Sequence, residues 1–295
     1  MRGGKAMRRV CAACGGIVLM AAMIASAAAE DLRARGAYLV TTIGACGNCH
    51  TPRSASGQPL AGMALAGGFS FDTHEPGIGV VTPPNITPDK ETGIGSWSAA
   101  QIVTAMRNGK RPDGTLIGPP MPITVYRELS DRDAAAVAAY LLSLKPIHHA
   151  VPERNQYKMA LPPDYGPPVT HVAEPNRSDK VAYGGYLATF GHCVLCHTPP
   201  GKDAPFDMSR AFSGGRDLPS TPNSAAVVVS RNITPDPEHG IGKWSEGQIK
   251  RTIVTGVRPD GTKLVRTMAF DWYAKMTPAD LDDIVAYLRS LKPME

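Results

Sequence analysis

A chain of 295 residues, 43% hydrophobic and 19% charged, is long enough for two compact domains each with its own core, and one domain of that size would be unusually large. Its formal charge of +5 is set by its start: residues 1–29 hold Arg2, Lys5, Arg8 and Arg9 and no acid, and without them 27 basic residues face 26 acidic ones. That balance gives no basis for binding nucleic acid, and no segment beyond residue 29 resembles the ~20 apolar residues of a membrane span.

The chain opens MRGGKAMRRV, continues as an apolar small-residue run from Ile17 to Ala29, and ends that run on Ala25-Ser26-Ala27 and Ala27-Ala28-Ala29. A basic start, a short apolar middle and a small-residue exit predict a cleaved secretory signal peptide over 1–29, cut after Ala27 or Ala29, and a periplasmic protein. Cys11 and Cys14 lie inside this leader as C-A-A-C without a histidine and are incidental. The mature chain keeps Cys46, Cys49, Cys193 and Cys196.

Residues 32–43 are predicted helical and carry Tyr38, Leu39 and Ile43 just ahead of CGNCHTP (46–52). A long Gly/Pro loop follows. A second helix is predicted from Ser98, with Gln101 completing a capping box, to Gly109. RPDGT (111–115) and GPPMPITVY (118–126) come next. A last helix starts at Ser130 with Asp133 three residues on, and Val137, Tyr140, Leu141 and Leu144 recur at helical spacing. Residues 146–178 are rich in proline, lack a sustained apolar period, and read as an extended, semi-rigid linker.

Beyond the linker the chain repeats itself. An offset of 147 carries CGNCHTP onto CVLCHTP (193–199), NITPDKETGIGSWS (85–98) onto NITPDPEHGIGKWS (232–245), RPDGT onto RPDGT (258–262), and AYLLSLKP (139–146) onto AYLRSLKP (286–293). Helices are predicted again over 181–190, from Ser245 with Gln248 to Gly256, and from Thr277 with Pro278 and Asp280, followed by Ile284, Tyr287, Leu288 and Leu291. The period is far longer than solenoid repeats of ~20–50 residues, so each copy is a whole domain. The expected architecture is all-α: signal peptide 1–29, domain 30–145, linker 146–178 and domain 179–295.

Three chemistries use a Cys-x-x-Cys pair. Zinc asks for four ligands from knuckles close in space, and each half offers one knuckle with one adjacent histidine; His74, in the first long loop, falls on Thr221 in the second half. A thioredoxin-like pair asks for a βαβ context that this pattern lacks. Haem c attachment asks for Cys-x-x-Cys-His, with two thioether bonds and the imidazole on iron. His50 and His197 immediately follow their cysteines, and every mature cysteine is used. Two covalently bound haem c groups are therefore expected, on Cys46, Cys49 and His50 and on Cys193, Cys196 and His197.

A sixth iron ligand is expected from methionines in matching places: Met121 and Met268 share the 147 offset, each 71 residues beyond its histidine, whereas Met106 falls on Ile253 and Met276 on Leu129. Histidine–methionine ligation closes the iron to outside ligands and raises its potential, which suits electron transfer. Methionine as core filler is the ordinary alternative. Trp97, Trp244, Arg111 and Arg258 are weaker candidates for haem propionate contacts. Asn85 and Asn232 read as loop structure, and the Asp89/Glu91 and Asp236/Glu238 pairs as solvated turns rather than calcium sites.

CGNCHTP, CVLCHTP, the NITPD…GIG.WS stretches, RPDG and AYL.SLKP together resemble the haem-c domains of the cytochrome c subunits of bacterial periplasmic alcohol, aldehyde and gluconate dehydrogenases, over essentially the whole mature chain. The resemblance implies an electron-transfer subunit, itself without a catalytic residue. Its donor would be the catalytic subunit of a periplasmic dehydrogenase, and its acceptor ubiquinone, another cytochrome or a terminal oxidase; peripheral membrane association is compatible with that role. Many such subunits carry three haem domains and a C-terminal membrane-contacting segment, whereas here there are two motifs and the sequence closes on SLKPME. The thioether edge of the haem is expected to be exposed and to meet the partner. The rival reading is a dihaem cytochrome c peroxidase-like enzyme, which wants unequal halves and a base beside an open iron, a place only His74 could take in the first loop.

Overall fold

The computed structural model describes residues 31–295 apart from 56, 74–76, 152–154, 156, 203 and 221–224. The leader with its cleavage sites, His74 and Thr221 lie outside the described residues.

In the first half a helix over 31–38 (α1) runs into a π turn, Leu39–Ile43. There follow α2 (Gly47–His50), β1 (Phe71–Asp72), β2 (Val80–Val81), α3 (Ala99–Asn108), α4 (Ile123–Tyr126) and α5 (Asp131–Ser143). The second half repeats the order: α6 (Lys180–Phe190), α7 (Cys193–Cys196), β3 (Asp217–Pro219), β4 (Val227–Val229), α8 (Glu246–Thr255), α9 (Phe270–Tyr273) and α10 (Pro278–Ser290). The all-α expectation is corrected by the two antiparallel ribbons, which pair Phe71 with Val81 and Asp217 with Val229. Strands of two or three residues are too short to show an alternating pattern, and only pairing across the loop creates them.

The main helices start and stop where their caps demand. Ser98 Oγ accepts from Gln101 N–H (3.2 Å) while Gln101 Oε1 accepts from Ser98 N–H (2.8 Å), and Ser245 and Gln248 repeat both bonds. Gly109 and Gly256 end these helices in the left-handed conformation, at φ 64° and 65°. Ser130 and Thr277 cap α5 and α10 through the N–H groups of Asp133 and Asp280.

In each half the first helix crosses the last at a glycine. A Cβ on Gly36 would stand 1.9 Å from the Ala136 carbonyl oxygen, and one on Gly184 would stand 1.8 Å from that of Asp283. The backbones therefore touch, and the apolar faces beside them close into a core that runs from Leu39 and Val137 through Tyr126 and Phe190 to Leu187 and Val285. Where two separate cores were expected, the apolar cluster is continuous across the junction.

A polar network crosses that junction with approximate two-fold symmetry. Tyr38 of α1 donates to Asp280 of α10 (2.6 Å), and Tyr186 of α6 donates to Asp133 of α5 (2.7 Å). Both carboxylates are almost fully buried, and each also takes an arginine: Arg35 on Asp133 (2.7 and 2.8 Å) and Arg177 on Asp280 (2.8 Å). Tyr183 accepts from both arginines and joins the two clusters. Paired and hydrogen-bonded in this way, the buried charges are tolerated; stripped of one partner they would be strongly destabilising.

The repeat has one irregularity. Gly36-Ala37-Tyr38-Leu39 matches Gly184-Gly185-Tyr186-Leu187 at an offset of 148, not 147, so the first half holds one extra residue before its Cys motif. The π turn Leu39–Ile43 absorbs it, as single-turn π segments absorb insertions inside helices.

Residues 146–178 contain no helix or strand among those described, and up to Val172 they are hydrogen-bonded to the first half. Asn85 Nδ2 donates to the Ile147 carbonyl (2.8 Å), and Val172 exchanges hydrogen bonds with Asp131.

Gly184→Ala is expected to force α6 and α10 apart and to lower the unfolding free energy by about 1–3 kcal/mol, the usual cost of overpacking a close helix contact. Denaturant unfolding of the full chain measures it.

Candidate cofactor sites

Each Cys motif forms one helical turn directly after an interface helix. Cys46 caps α2 and His50 ends it; Cys193 opens α7 and His197 follows it. No disulfide joins the four cysteines. Burial pushes Cys46 and Cys193 up to about 12, and Cys49 to about 11. Thiol exchange and zinc binding both use lowered thiolates, so these surroundings fit neither well.

The histidines are oriented by the backbone. His50 Nδ1 meets the Pro84 carbonyl at 2.8 Å, and His197 Nδ1 meets that of Arg231 at 2.7 Å. A carbonyl only accepts, so Nδ1 carries the proton and Nε2 keeps its lone pair. Burial lowers both pKa values, against the smaller opposing effect of these hydrogen bonds, and holds the rings neutral. A neutral imidazole tied at Nδ1 and uncommitted at Nε2 is the form that binds a metal.

A close backbone approach supports each tie. Gly67 N–H donates to the His50 carbonyl (2.7 Å) at φ +72°, and a Cβ there would stand 2.3 Å from Pro84 C. Gly214 does the same for His197 (2.7 Å), against Arg231. Thr51 and Thr198, from the two HTP tripeptides, accept from Leu65 N–H (3.1 Å) and Phe212 N–H (3.3 Å) and close the loop above. The Gly67/Gly214 and Pro84/Arg231 supports were missed in the sequence. The shared Gly-Gly pairs at 67–68 and 214–215 were the available signal.

Met121 and Met268 occupy equivalent backbone positions. Each carbonyl accepts from the residue two places on, Ile123 (2.8 Å) and Phe270 (2.9 Å), at the entrance to α4 and α9. Both are half-buried, and Met121 packs against the core cluster. Among the weaker candidates, Arg111 Nη1 donates to the Leu116 carbonyl (2.7 Å) and the Arg258 guanidinium lies over the Trp244 ring. Asn85 and Asn232 are structural: each Oδ1 accepts from the N–H and hydroxyl of the threonine two residues on, and each Nδ2 ties down the chain beyond the last helix. Asp89 and Asp236 accept backbone N–H groups of their own turns.

The Cys motifs approach each other at the junction. Cys196 is near enough to Cys49 to raise the cost of ionising it, and the ring edge of Trp272 of the second half abuts Gly47, where a Cβ would be 2.4 Å from it. At the reciprocal positions stand Val194 and Val125, both buried in the shared core. Tyr126 shares a 2.7 Å hydrogen bond with His192 Nε2 across the junction, and burial drives His192 down to about 4, so its ring is neutral. Both motifs thus stand at the junction of the halves, because α2 and α7 directly follow the interface helices and are carried there with them.

Two copies of one helix-rich unit, each presenting a Cys-x-x-Cys pair and a metal-ready imidazole, define a tandem c-type cytochrome. The chain belongs to the cytochrome c family, whose model matches residues 33–145 and again 181–292. It carries two haem c groups, one per domain. It is 31% identical over 279 residues to the alcohol dehydrogenase (quinone) cytochrome c subunit of Gluconacetobacter polyoxogenes, a match covering 88% of this chain and 56% of that one. It is 30% identical over 267 residues to a diheme cytochrome c-type protein of Cereibacter sphaeroides, covering 85% and 83%, and 30% identical over 302 residues to the gluconate 2-dehydrogenase cytochrome c subunit of Pantoea cypripedii, covering 98% and 65%. The chain thus spans little more than half the length of the alcohol dehydrogenase subunit.

Gly67→Ala is expected to lower stability by about 1–3 kcal/mol by pushing Pro84 away from His50, and to perturb the spectrum of one haem only. Gly79→Ala, at φ +70° with open space around it, is the control that carries backbone strain without the clash. Thermal unfolding and visible spectra of both variants separate the two effects.

Proposed function

We propose that this protein is a two-haem electron carrier of the periplasm. In this reading it takes electrons from the catalytic subunit of a dehydrogenase and passes them to ubiquinone, another cytochrome or a terminal oxidase. The observation that carries the reading is the doubled, neutral, Nδ1-anchored histidine directly after a half-buried Cys-x-x-Cys pair. The relatives named as dehydrogenase cytochrome subunits support the choice of donor. The leader over 1–29 supports export, since its composition is that of a signal peptide.

Cys46 and Cys49, and Cys193 and Cys196, would hold the haems through thioether bonds, and His50 with Met121 and His197 with Met268 would supply the iron ligands. When bound, each haem supplies reversible one-electron chemistry. The Pro84 and Arg231 carbonyls raise the basicity of their imidazoles and fix the ring planes. The approach of Cys196 to Cys49 favours electron exchange between the halves at that junction. Outside partners would then be met at surfaces away from the thioether edges. The peroxidase reading finds no support in the near-symmetry of the two sites or in the named relatives.

Met268→Ala in the holoprotein is expected to remove about half of the methionine-ligated low-spin signal, one haem of the two, and to lower that haem's potential. An unchanged spectrum would assign the sixth bond to another group. Steady turnover of hydrogen peroxide with a reduced electron donor would overturn the carrier reading.

A further inference from the structure

From Ile147 to Val172 the segment 146–178 is fastened to the first domain, before Arg177 reaches Tyr183 and Asp280 of the second. His149 Nδ1 donates to the Ala66 carbonyl (2.9 Å), Asn155 Oδ1 accepts from Thr82 N–H (2.7 Å), and Lys158 N–H donates to the Gly77 carbonyl (2.9 Å). Further on, Arg127 donates to the Pro167 carbonyl (2.6 Å) and Asn108 Oδ1 accepts from Val169 N–H (2.7 Å). Between these anchors, Tyr157 and Tyr165 reach the loop that precedes Met121.

Tyr165 donates to the Ile117 carbonyl (2.7 Å), and its ring lies 2.6 Å from where a Cβ on Gly109 would be. The Tyr157 ring covers Gly118 in the same way, also at 2.6 Å. Gly109 and Ile117 are the two ends of this loop, joined by a 2.6 Å bond from Ile117 N–H to the Gly109 carbonyl. Gly118-Pro119-Pro120 then leads directly into Met121.

The second domain solves the same packing problem with its own residues. Gly256, the counterpart of Gly109, is covered by the Phe270 ring at 2.7 Å, and Phe270 stands where the first domain has the smaller Ile123. The counterpart of Gly118 is Val265, which brings a side chain of its own, and the Met268 loop is tied by a hydrogen bond from the Thr267 hydroxyl to the Pro219 carbonyl. The first domain has thus given up side-chain volume in its loop, and the linker tyrosines supply it.

We propose that Tyr157 and Tyr165 are positioning residues for the Met121 sulfur: they brace the loop that delivers it and so slow the opening of the sixth coordination position of the first haem alone. The inference rests on the reading that Met121 is an iron ligand. Bond breaking at that position requires the loop from Gly109 to Met121 to lift. Lifting it must also break the Tyr165–Ile117 hydrogen bond and uncover two aromatic rings.

The test is imidazole binding to the ferric holoprotein, followed by absorbance after rapid mixing, with the potentials of both haems measured in parallel. In Tyr157→Ala/Tyr165→Ala, one haem is expected to bind imidazole about tenfold faster, as loss of a hydrogen bond and its ring packing implies, and to drop in potential, while the other is unchanged. Tyr165→Phe keeps the ring, so about a threefold effect is expected; it also serves if the double variant fails to fold. Unchanged rates in the tyrosine variants, or equal acceleration at both haems, would overturn the proposal. Met121→Ala isolates its premise: if neither haem becomes more open to imidazole, Met121 is not the ligand and both statements fall together.

Discussion

Two buried carboxylates hold the molecule in its arrangement. Asp133 and Asp280 sit at the third position of the last helix of each domain, where the helix N-terminus and a capping Ser130 or Thr277 already favour negative charge. Neither could remain buried on that basis alone. Each takes an arginine from near its own domain's first helix and a tyrosine hydroxyl from the first helix of the other domain. Separating the halves would therefore strip a hydrogen bond from both buried charges at once, so the junction is specific as well as apolar.

The sites inherit their placement from that junction. Tyr38 and Tyr186 lie on the helices that lead straight into the two Cys motifs, so fixing the tyrosines fixes α2 and α7 within a few residues. The motifs consequently meet each other, and the volume between them is shared unequally, with Trp272 against Gly47 on one side and two valines in the equivalent places on the other. The π turn belongs to the same logic. An extra residue in an ordinary helix would rotate Cys46 away from its place; held in one wide turn, it leaves the geometry after the motif in register with the second domain.

Much of this was legible in the chain because it is governed by neighbours in sequence. The capping boxes at Ser98 and Ser245, the stops at Gly109 and Gly256 and the starts at Ser130 and Thr277 depend on groups within one turn, and they stand where the sequence puts them. The Cys-x-x-Cys-His pattern is equally local. The carbonyls of Pro84 and Arg231 were not legible, because they lie 34 residues from the histidines they orient and any residue has a carbonyl to offer. The strands were hidden by their shortness. Tyr157 and Tyr165 looked like ordinary linker residues because the space they fill is defined by glycines 39 and 56 positions earlier.

The sequence by itself determined that there are two copies of one unit, where their main helices begin and end, and which cysteines and histidines stand in attachment spacing, since these follow from periodicity, caps and covalent reach. Only the tertiary structure decided that the two cores merge, that the attachment motifs meet at the junction, and that the linker tyrosines cover the methionine loop of the first domain. Those outcomes depend on which surfaces close against each other. Closure is settled by volume and by the need to satisfy buried charge across distances that no local pattern records.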